Sequence, residues 1–333
     1  MKLPSLLRFL VRKILAGTDV LAKRHYRKMA RAKGMTITFP RRAISFRMGT
    51  KELILPAKNF AYTHEVIDSF SYYFDSVVPE STPRGELIDL SSPKKLTLRD
   101  EGLAFWMNSL TEPAAGHKLY FERYRPRDGD VCFDCGANYG CVTYLMSKMV
   151  GERGRIISFE PDPANYEMLR KNAEQLGLKN VTLVNKALWD KKTFLKFNAE
   201  GSLGGGLVTT VNRGQSMLKQ QISIETTTLE EVMNDLQLQR LDFVKMDIEG
   251  AELEVLQSAS NFLARRKTRL AVASEHLRDG QLTYGRVENI LKGAGYEVAT
   301  SDLAMLSRCK ALVTWGWQKE QSLGTIRRRM PNC

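Results

Sequence analysis

Acidic residues are nearly absent from the first fifty positions of this 333-residue chain, where Asp19 stands alone against thirteen Lys or Arg. The formal net charge is +13, so those fifty positions carry almost the whole surplus. The basic character belongs to an arm, and overall charge is no argument for nucleic-acid binding by the body. Cysteine is scarce too. Five in a chain of this length make no disulfide framework and fit the reduced thiols of a cytoplasmic protein. No apolar run approaches the roughly 20 residues a bilayer span needs. The N-terminal leucine cluster is broken by Arg8, Arg12 and Lys13, and no charge-free apolar stretch precedes a small-residue cleavage site. What is present is a chain 43% hydrophobic and 26% charged, long enough for one large or two modest domains.

Leu3, Leu6, Leu7, Leu10, Val11, Ile14 and Leu15 follow helical spacing, and a more basic stretch runs from Asp19 to Lys33. Such an arm, residues 1–33, can lie on an anionic membrane surface at the inner face, or pack on protein. A mitochondrial presequence has similar composition. Short strands are expected at Thr36–Phe39, Ala43–Met48 and Glu52–Leu55, and a helix at Leu103–Leu110. The aromatic group of Tyr62, Phe70, Tyr72, Tyr73 and Phe74 reads as core. The division is thus a basic arm (1–35), an accessory region (36–118) and a main domain (119–333).

From Gly129 onward short apolar strands alternate with helices: Val131–Phe133, Ile156–Phe159, Val181–Val184, Phe243–Val244 and Leu270–Ala273. Asp162-Pro163 and Thr228-Leu229-Glu230-Glu231 supply helix starts between them. A helix near Arg286–Leu291 and closing strands at Tyr296–Thr300 and Lys310–Trp315 complete the pattern. This alternation argues an α/β fold with a doubly wound, mostly parallel sheet. Between the third and fourth strands, LKF and ISIETT flank a GSLGGG run and read as an added hairpin.

Ligands of such sheets bind beyond the carboxyl ends of the strands. The first strand ends at Asp134, and Gly136-Ala137-Asn138-Tyr139-Gly140 turns into the next helix. The middle glycine of the dinucleotide fingerprint is missing. The second strand ends at Glu160, placed to accept hydrogen bonds from a ribose diol. The fourth ends at Asp247 in KMDIEGAELEVL, with Glu249, Glu252 and Glu254 at the start of the next helix. The fifth ends at Glu275-His276. Cys132, Cys135 and Cys141 read as C-x2-C-x5-C, but neither Cys309, Cys333 nor the four histidines complete a zinc set at paired spacing.

DCGANYGCVT, ISFEPDPANYEML, VNKALWD, TTLEEV and KMDIEGAELEVL, in this order, resemble the FkbM family of class I methyltransferases, which use S-adenosylmethionine (SAM). The resemblance covers roughly 119–280 and leaves the first 118 residues outside. It implies a Rossmann-like, seven-stranded, mostly parallel sheet with an antiparallel last strand. It also implies methyl transfer to oxygen on a sugar, glycan or natural product. By the same resemblance Asp134, Gly136, Ala137, Asn138 and Gly140 surround the methionine part of SAM, and Glu160 holds the ribose. Asn185, Ala187 and Asp190 lie near the adenine, and Asp247 near the methionine amino group or the acceptor.

Methyl transfer from a sulfonium is an in-line displacement, and an alcohol needs a base to become a good nucleophile. The expected base is His276, with Asp247 or Glu249 as orienter or alternative. The rival is a divalent cation such as Mg²⁺ on Asp247, Glu249 and Glu275. Two other functions compete. An RNA methyltransferase would grip phosphates with the arm, but the N/D-P-P-Y string and a Pro-Cys nucleophile are absent, so nucleic acid is disfavoured. A non-catalytic SAM-binding scaffold would bind SAM without turnover.

Overall fold

The computed structural model describes residues 19–99, 102–107, 118–199, 206–207, 220–302 and 312–319. The helix expected over residues 3–15, Cys309 and Cys333, and most of the GSLGGG run lie outside them.

The N-terminal part opens with helix α1 (Asp19–Ala32), then strands β1 (Thr36–Thr38), β2 (Ala43–Met48) and β3 (Lys51–Pro56). Helix α2 (Thr63–Ser76) follows, then β4 (Glu80–Thr82) and β5 (Gly85–Asp89). The five strands form one sheet ordered β1-β2-β3-β5-β4. Phe70, Tyr73 and Phe74 sit at helical spacing on the buried face of α2 and are core, as expected; Tyr62 packs against them half-buried, and Tyr72 is half-buried outside that cluster. Strands β6 (Lys94–Thr97) and β7 (Ala104–Met107) pair antiparallel. The helix expected at Leu103–Leu110 is therefore a strand over 104–107. Phe105 and Met107 are buried while their neighbours are partly exposed, so the period is two, and pairing with β6 overrides the helical reading.

The second part is built on β8 (Val131–Cys135), α3 (Cys141–Val150), β9 (Arg155–Phe159), α4 (Pro163–Gln175) and β10 (Val181–Val184). Then come β11 (Ala187–Leu188), β12 (Phe194–Ala199), β13 (Gly206–Leu207), β14 (Gln220–Thr227) and α5 (Leu229–Asp235). The chain continues with β15 (Phe243–Met246), α6 (Glu252–Arg265), β16 (Arg269–Ala273) and the small hairpin of β17 (Leu277–Arg278) and β18 (Gln281–Leu282). It closes with α7 (Tyr284–Gly293), β19 (Glu297–Thr300) and β20 (Val313–Trp317).

Seven strands form the main sheet, ordered β10-β9-β8-β15-β16-β20-β19. The first five run parallel, and β20 is antiparallel to both neighbours. The order reverses between β8 and β15, so their carboxyl ends define the crevice where ligands of such sheets bind. Helix starts are chemically specified. Asp162 caps α4 through the N–H groups of Ala164 and Asn165 with Pro163 following, and Thr228 and Glu231 form a capping box on α5.

The expected hairpin is present as β12 and β14, in register from Phe194 opposite Glu225 to Ala199 opposite Gln220. With β11 and β13 it makes a four-stranded sheet that packs Phe197, Leu207 and Ile224 over Ala187 and Ala251. The two parts of the chain share a core: Tyr139, Cys141 and Met168 pack with the buried residues of the N-terminal sheet and α2.

Candidate active site

The three cysteines scatter. Cys132 and Cys135 are three residues apart on β8, so they face opposite sides of the sheet. Cys132 packs in one core cluster, Cys135 in another and Cys141 in the shared core. All three are buried free thiols, and burial pushes Cys132 and Cys135 well above the ordinary thiol range. That is the setting of inert core residues.

The site is a cleft at the carboxyl ends of β8, β9 and β15. Gly136, Ala137 and Asn138 form one wall, and backbone geometry explains their identity. Gly136 has φ +84°, and a Cβ there would meet the Asp247 carbonyl oxygen at 1.8 Å. The glycine thus lets the β8 turn touch the β15 turn. Asn138 also has positive φ (50°), and its side-chain Oδ1 is buried with no hydrogen-bond partner among the described residues. Glu160 lies beside it, 5% exposed, accepting from the N–H of Asn138 (2.8 Å) and of Asp162 (2.9 Å). Burial, reinforced by the charge of Asp162, pushes its carboxyl up to about 8 against those two N–H groups.

Beneath the glycine turn is Lys245, 3% exposed, an unusual side chain for a central strand. Its Nζ donates to the Gly136 carbonyl (2.7 Å), lies 3.2 Å from Asp134 Oδ1 and sits over the Tyr120 ring. Asp134 is fully buried and also accepts from Thr143 Oγ1 (2.7 Å). Asp134 was expected to touch SAM, yet its carboxylate is turned into the protein, where it neutralises the lysine that holds the turn.

The opposite rim gathers the other acids. Asp247 Oδ2 accepts from the Tyr120 hydroxyl (2.8 Å), and Asp247 Oδ1 lies 3.5 Å from His276 Nε2. Glu249, at φ +57°, places Oε2 3.9 Å from the same nitrogen. His276 Nδ1 faces Oε1 of the fully buried Glu252 at 3.3 Å. Burial works to lower the His276 pKa, but Glu252, Glu249 and Asp247 together outweigh it and hold the imidazolium well above its ordinary value. Tyr120, Asp247, Ile248 and Glu249 line the cleft, whereas His276 is not among its lining residues.

Residues 134–298 match the model of the methyltransferase FkbM domain. The chain carries an FkbM methyltransferase domain. Among curated relatives, the hexuronic acid methyltransferase AglP of Haloferax volcanii is 24% identical over 136 residues, 41% of this chain and 52% of that protein. The methyltransferase sdnD of Sordaria araneosa is 25% identical over 151 residues, 37% of this chain and 58% of that protein. The chain thus spans about half the length of these relatives. Among solved structures, a methyltransferase FkbM from Methylobacillus flagellatus aligns over 78% of this chain and 55% of that one, at 15% identity and a TM-score of 0.44.

Within the FkbM domain, Gly136, Ala137, Asn138, Glu160, Ala187, Asp247 and Glu249 line the cleft. Four residues expected at the cofactor do not. Asp134 acts behind the turn. Gly140 is the left-handed N-cap of α3, where a Cβ would strike Leu169 at 2.6 Å. The exposed Asn185 donates to the Glu160 carbonyl (2.7 Å) and braces that loop. Asp190 is exposed and outside the cleft, whose β10–β11 wall is made by Lys186, Ala187 and Leu188. Glu275 also departs from its expected place as a metal ligand. Its Oε2 accepts from the N–H groups of Ser274 and Leu312, tying β16 to β20, and burial raises its pKa. The ligand atoms that do converge, within 4.8 Å of one another, belong to Asp247, Glu249 and His276.

Sequence reading missed Tyr120, Lys245, Glu252 as the partner of His276, and the lining residues Phe197 and Leu207. Lys245 had a signal, a lone charge inside the apolar strand FVKM. Tyr120 had none, since it meets Asp247 across 127 residues of chain.

Proposed function

We propose that the chain is a SAM-dependent O-methyltransferase whose acceptor is a hydroxyl of a sugar, glycan or related natural product. The observation that carries this reading is the convergence, in one cleft, of the Gly136–Asn138 turn and Glu160 with Tyr120 and Asp247. The residues fit SAM. The orphaned Asn138 Oδ1 seeks a donor, and the desolvated Glu160 carboxylate is suited to the paired hydroxyls of a ribose. Bound SAM supplies the methyl group on a sulfonium.

The chain supplies position, dryness and a proton acceptor. Gly136 and Lys245 fix the turn, and the buried Phe197 and Leu207 give the cleft apolar lining. Asp247 faces the cleft, held by the Tyr120 hydroxyl on one oxygen and His276 on the other. Because His276 keeps its proton and lies outside the lining, the expected roles exchange. Asp247 accepts the acceptor's hydroxyl proton as the oxygen attacks, and His276 positions Asp247.

A second reading of the same rim is favoured by the convergence of Asp247, Glu249 and His276. Those groups can hold a divalent cation such as Mg²⁺ that polarises the hydroxyl, with His276 releasing its proton on binding.

The test incubates the full chain and methyl-labelled SAM with a panel of neutral sugars, hexuronic acids and glycans. The hexuronic acid activity named for the Haloferax relative makes that class the first to try. The expected result is label on an acceptor oxygen with one S-adenosylhomocysteine released per methyl. Asp247→Asn should lower turnover by about 10²-fold or more while SAM binding persists. Loss of activity in EDTA, restored by Mg²⁺, selects the metal-assisted form. Transfer to RNA instead, or SAM binding without transfer to any acceptor, would overturn the proposal.

A further inference from the structure

Helix α1 has two unlike faces. Tyr26, Met29 and Ala30 turn inward and pack on the core of the N-terminal sheet, and Ala22 is buried on the same side. At about 100° of rotation per residue, Arg24, Arg27, Lys28 and Arg31 fall at i, i+3, i+4 and i+7 on the opposite side. All four are exposed, and no ion pair among the described residues involves them. Lys33, by contrast, is paired with Asp68 (2.6 Å) and adds little to the face. The loop that follows β1 extends the cationic surface with exposed Arg41, and Lys23 and Arg27 lie over the Phe39 ring, which fixes that loop against the helix.

The same outer face carries apolar side chains where a soluble helix would place polar ones. Val20 is 76% exposed and Leu21 49% exposed, at the N-terminal end of the cationic stripe. By helical rotation Val20 falls between Arg27 and Arg31, and Leu21 beside Lys28. Immediately before them in the sequence run Leu3, Leu6, Leu7, Leu10, Val11, Ile14 and Leu15, with four more Lys or Arg among the first eighteen residues.

We propose that the outer face of α1 is a docking surface for an anionic lipid bilayer. The cations of the face meet the headgroups, and the exposed Val20 and Leu21 enter the interface. A nucleic acid would use the cations alone, because it offers no apolar layer to Val20 and Leu21. The bilayer accounts for both halves of the pattern. Attraction to an anionic surface is worth roughly a fivefold gain in affinity per Lys or Arg held near it. The inward face of α1 is already used, so docking needs no rearrangement of the fold. The consequence for function is a substrate class: an acceptor presented at a membrane, such as a lipid-linked glycan. That consequence rests on the methyltransferase reading, whereas the docking surface does not.

The test is flotation of the full chain with vesicles of phosphatidylcholine alone, and of phosphatidylcholine with phosphatidylserine. Wild type should float with the anionic vesicles, not with the neutral ones, and binding should weaken steeply as salt rises. Arg24→Glu/Lys28→Glu/Arg31→Glu spares the Arg27–Phe39 contact and should reduce anionic binding by about a hundredfold or more. Val20→Ser/Leu21→Ser should reduce it further at high salt, where charge is screened and apolar contact remains. SAM affinity and the unfolding midpoint of both variants should match wild type, which separates loss of docking from loss of folding and from failure of the catalytic reading. Failure of wild type to float, equal flotation of the triple variant, or tighter binding to single-stranded RNA than to anionic vesicles at matched salt would each overturn the proposal.

Discussion

Gly136 and Glu160 show how single residues set the chemistry of the cleft. Gly136 combines a left-handed backbone with contact against the Asp247 carbonyl, so Gly136→Ala adds both strain and a clash. It should cost about 3 kcal/mol or more of stability in urea unfolding. Gly177→Ala, also at positive φ but with nothing within 4 Å, should cost only about 1 kcal/mol. Equal costs would mean that the close approach of the two turns is not maintained in solution.

Glu160 gives a pH dependence whose sign is opposite to that of a salt-bridged acid. The unfolded chain releases this proton near 4.5 and the folded chain near 8, so folding stability falls as pH rises across that window. Donors to its carboxylate require the ionised form. SAM affinity should therefore rise by up to about tenfold per unit as pH approaches about 8, then level off. Calorimetric titration of SAM between those limits is the check. A flat profile would separate Glu160 from the ribose.

At the scale of elements, the N-terminal region is tied to the FkbM domain by a side chain acting as backbone. Asn172 on α4 is 1% exposed. It accepts from the Trp106 N–H (2.6 Å) and donates to the carbonyls of Trp106 (2.9 Å) and Tyr139 (2.7 Å). It thereby completes the edge of β7 and holds the residue just before Gly140. Asn172→Ala leaves buried backbone groups unpaired and should cost about 3 kcal/mol. If the tie transmits to the cleft, SAM affinity should fall as well. Unchanged affinity in a destabilised variant would confine Asn172 to a structural role. β7 also shows why local reading fails at this scale. Leu103–Leu110 has enough apolar residues for a helix, and the partner strand β6 selects the extended form over 104–107, residues 108–110 lying outside the described ones.

For the whole molecule, the shared core of Tyr139, Cys141 and Met168 with the N-terminal sheet predicts one cooperative unfolding transition. SAM at a hundredfold excess over its Kd should stabilise that transition by about 2.7 kcal/mol, and should move signals from both parts together. Two separate transitions, with only one shifted by SAM, would show that the accessory region folds on its own. The membrane question also belongs to this scale. Among the described residues no helix is long and apolar enough to cross a bilayer, so contact through α1 would be peripheral.

The sequence by itself determined whatever depends on neighbours along the chain. The alternation of strands and helices, the Asp162 and Thr228 caps, the glycine turn at Gly136, the carboxylate at Glu160 and the two faces of α1 all follow from local spacing and backbone sterics. Tertiary structure alone decided what meets across distance. It set Tyr120 against Asp247, Lys245 under Gly136 and Glu252 behind His276. It also turned Asp134 inward and sent three cysteines into three different packing clusters. The physical reason is that a buried charge takes its role from its partners. For Asp134 and His276 those partners are chosen by strand order and register, which no local motif encodes.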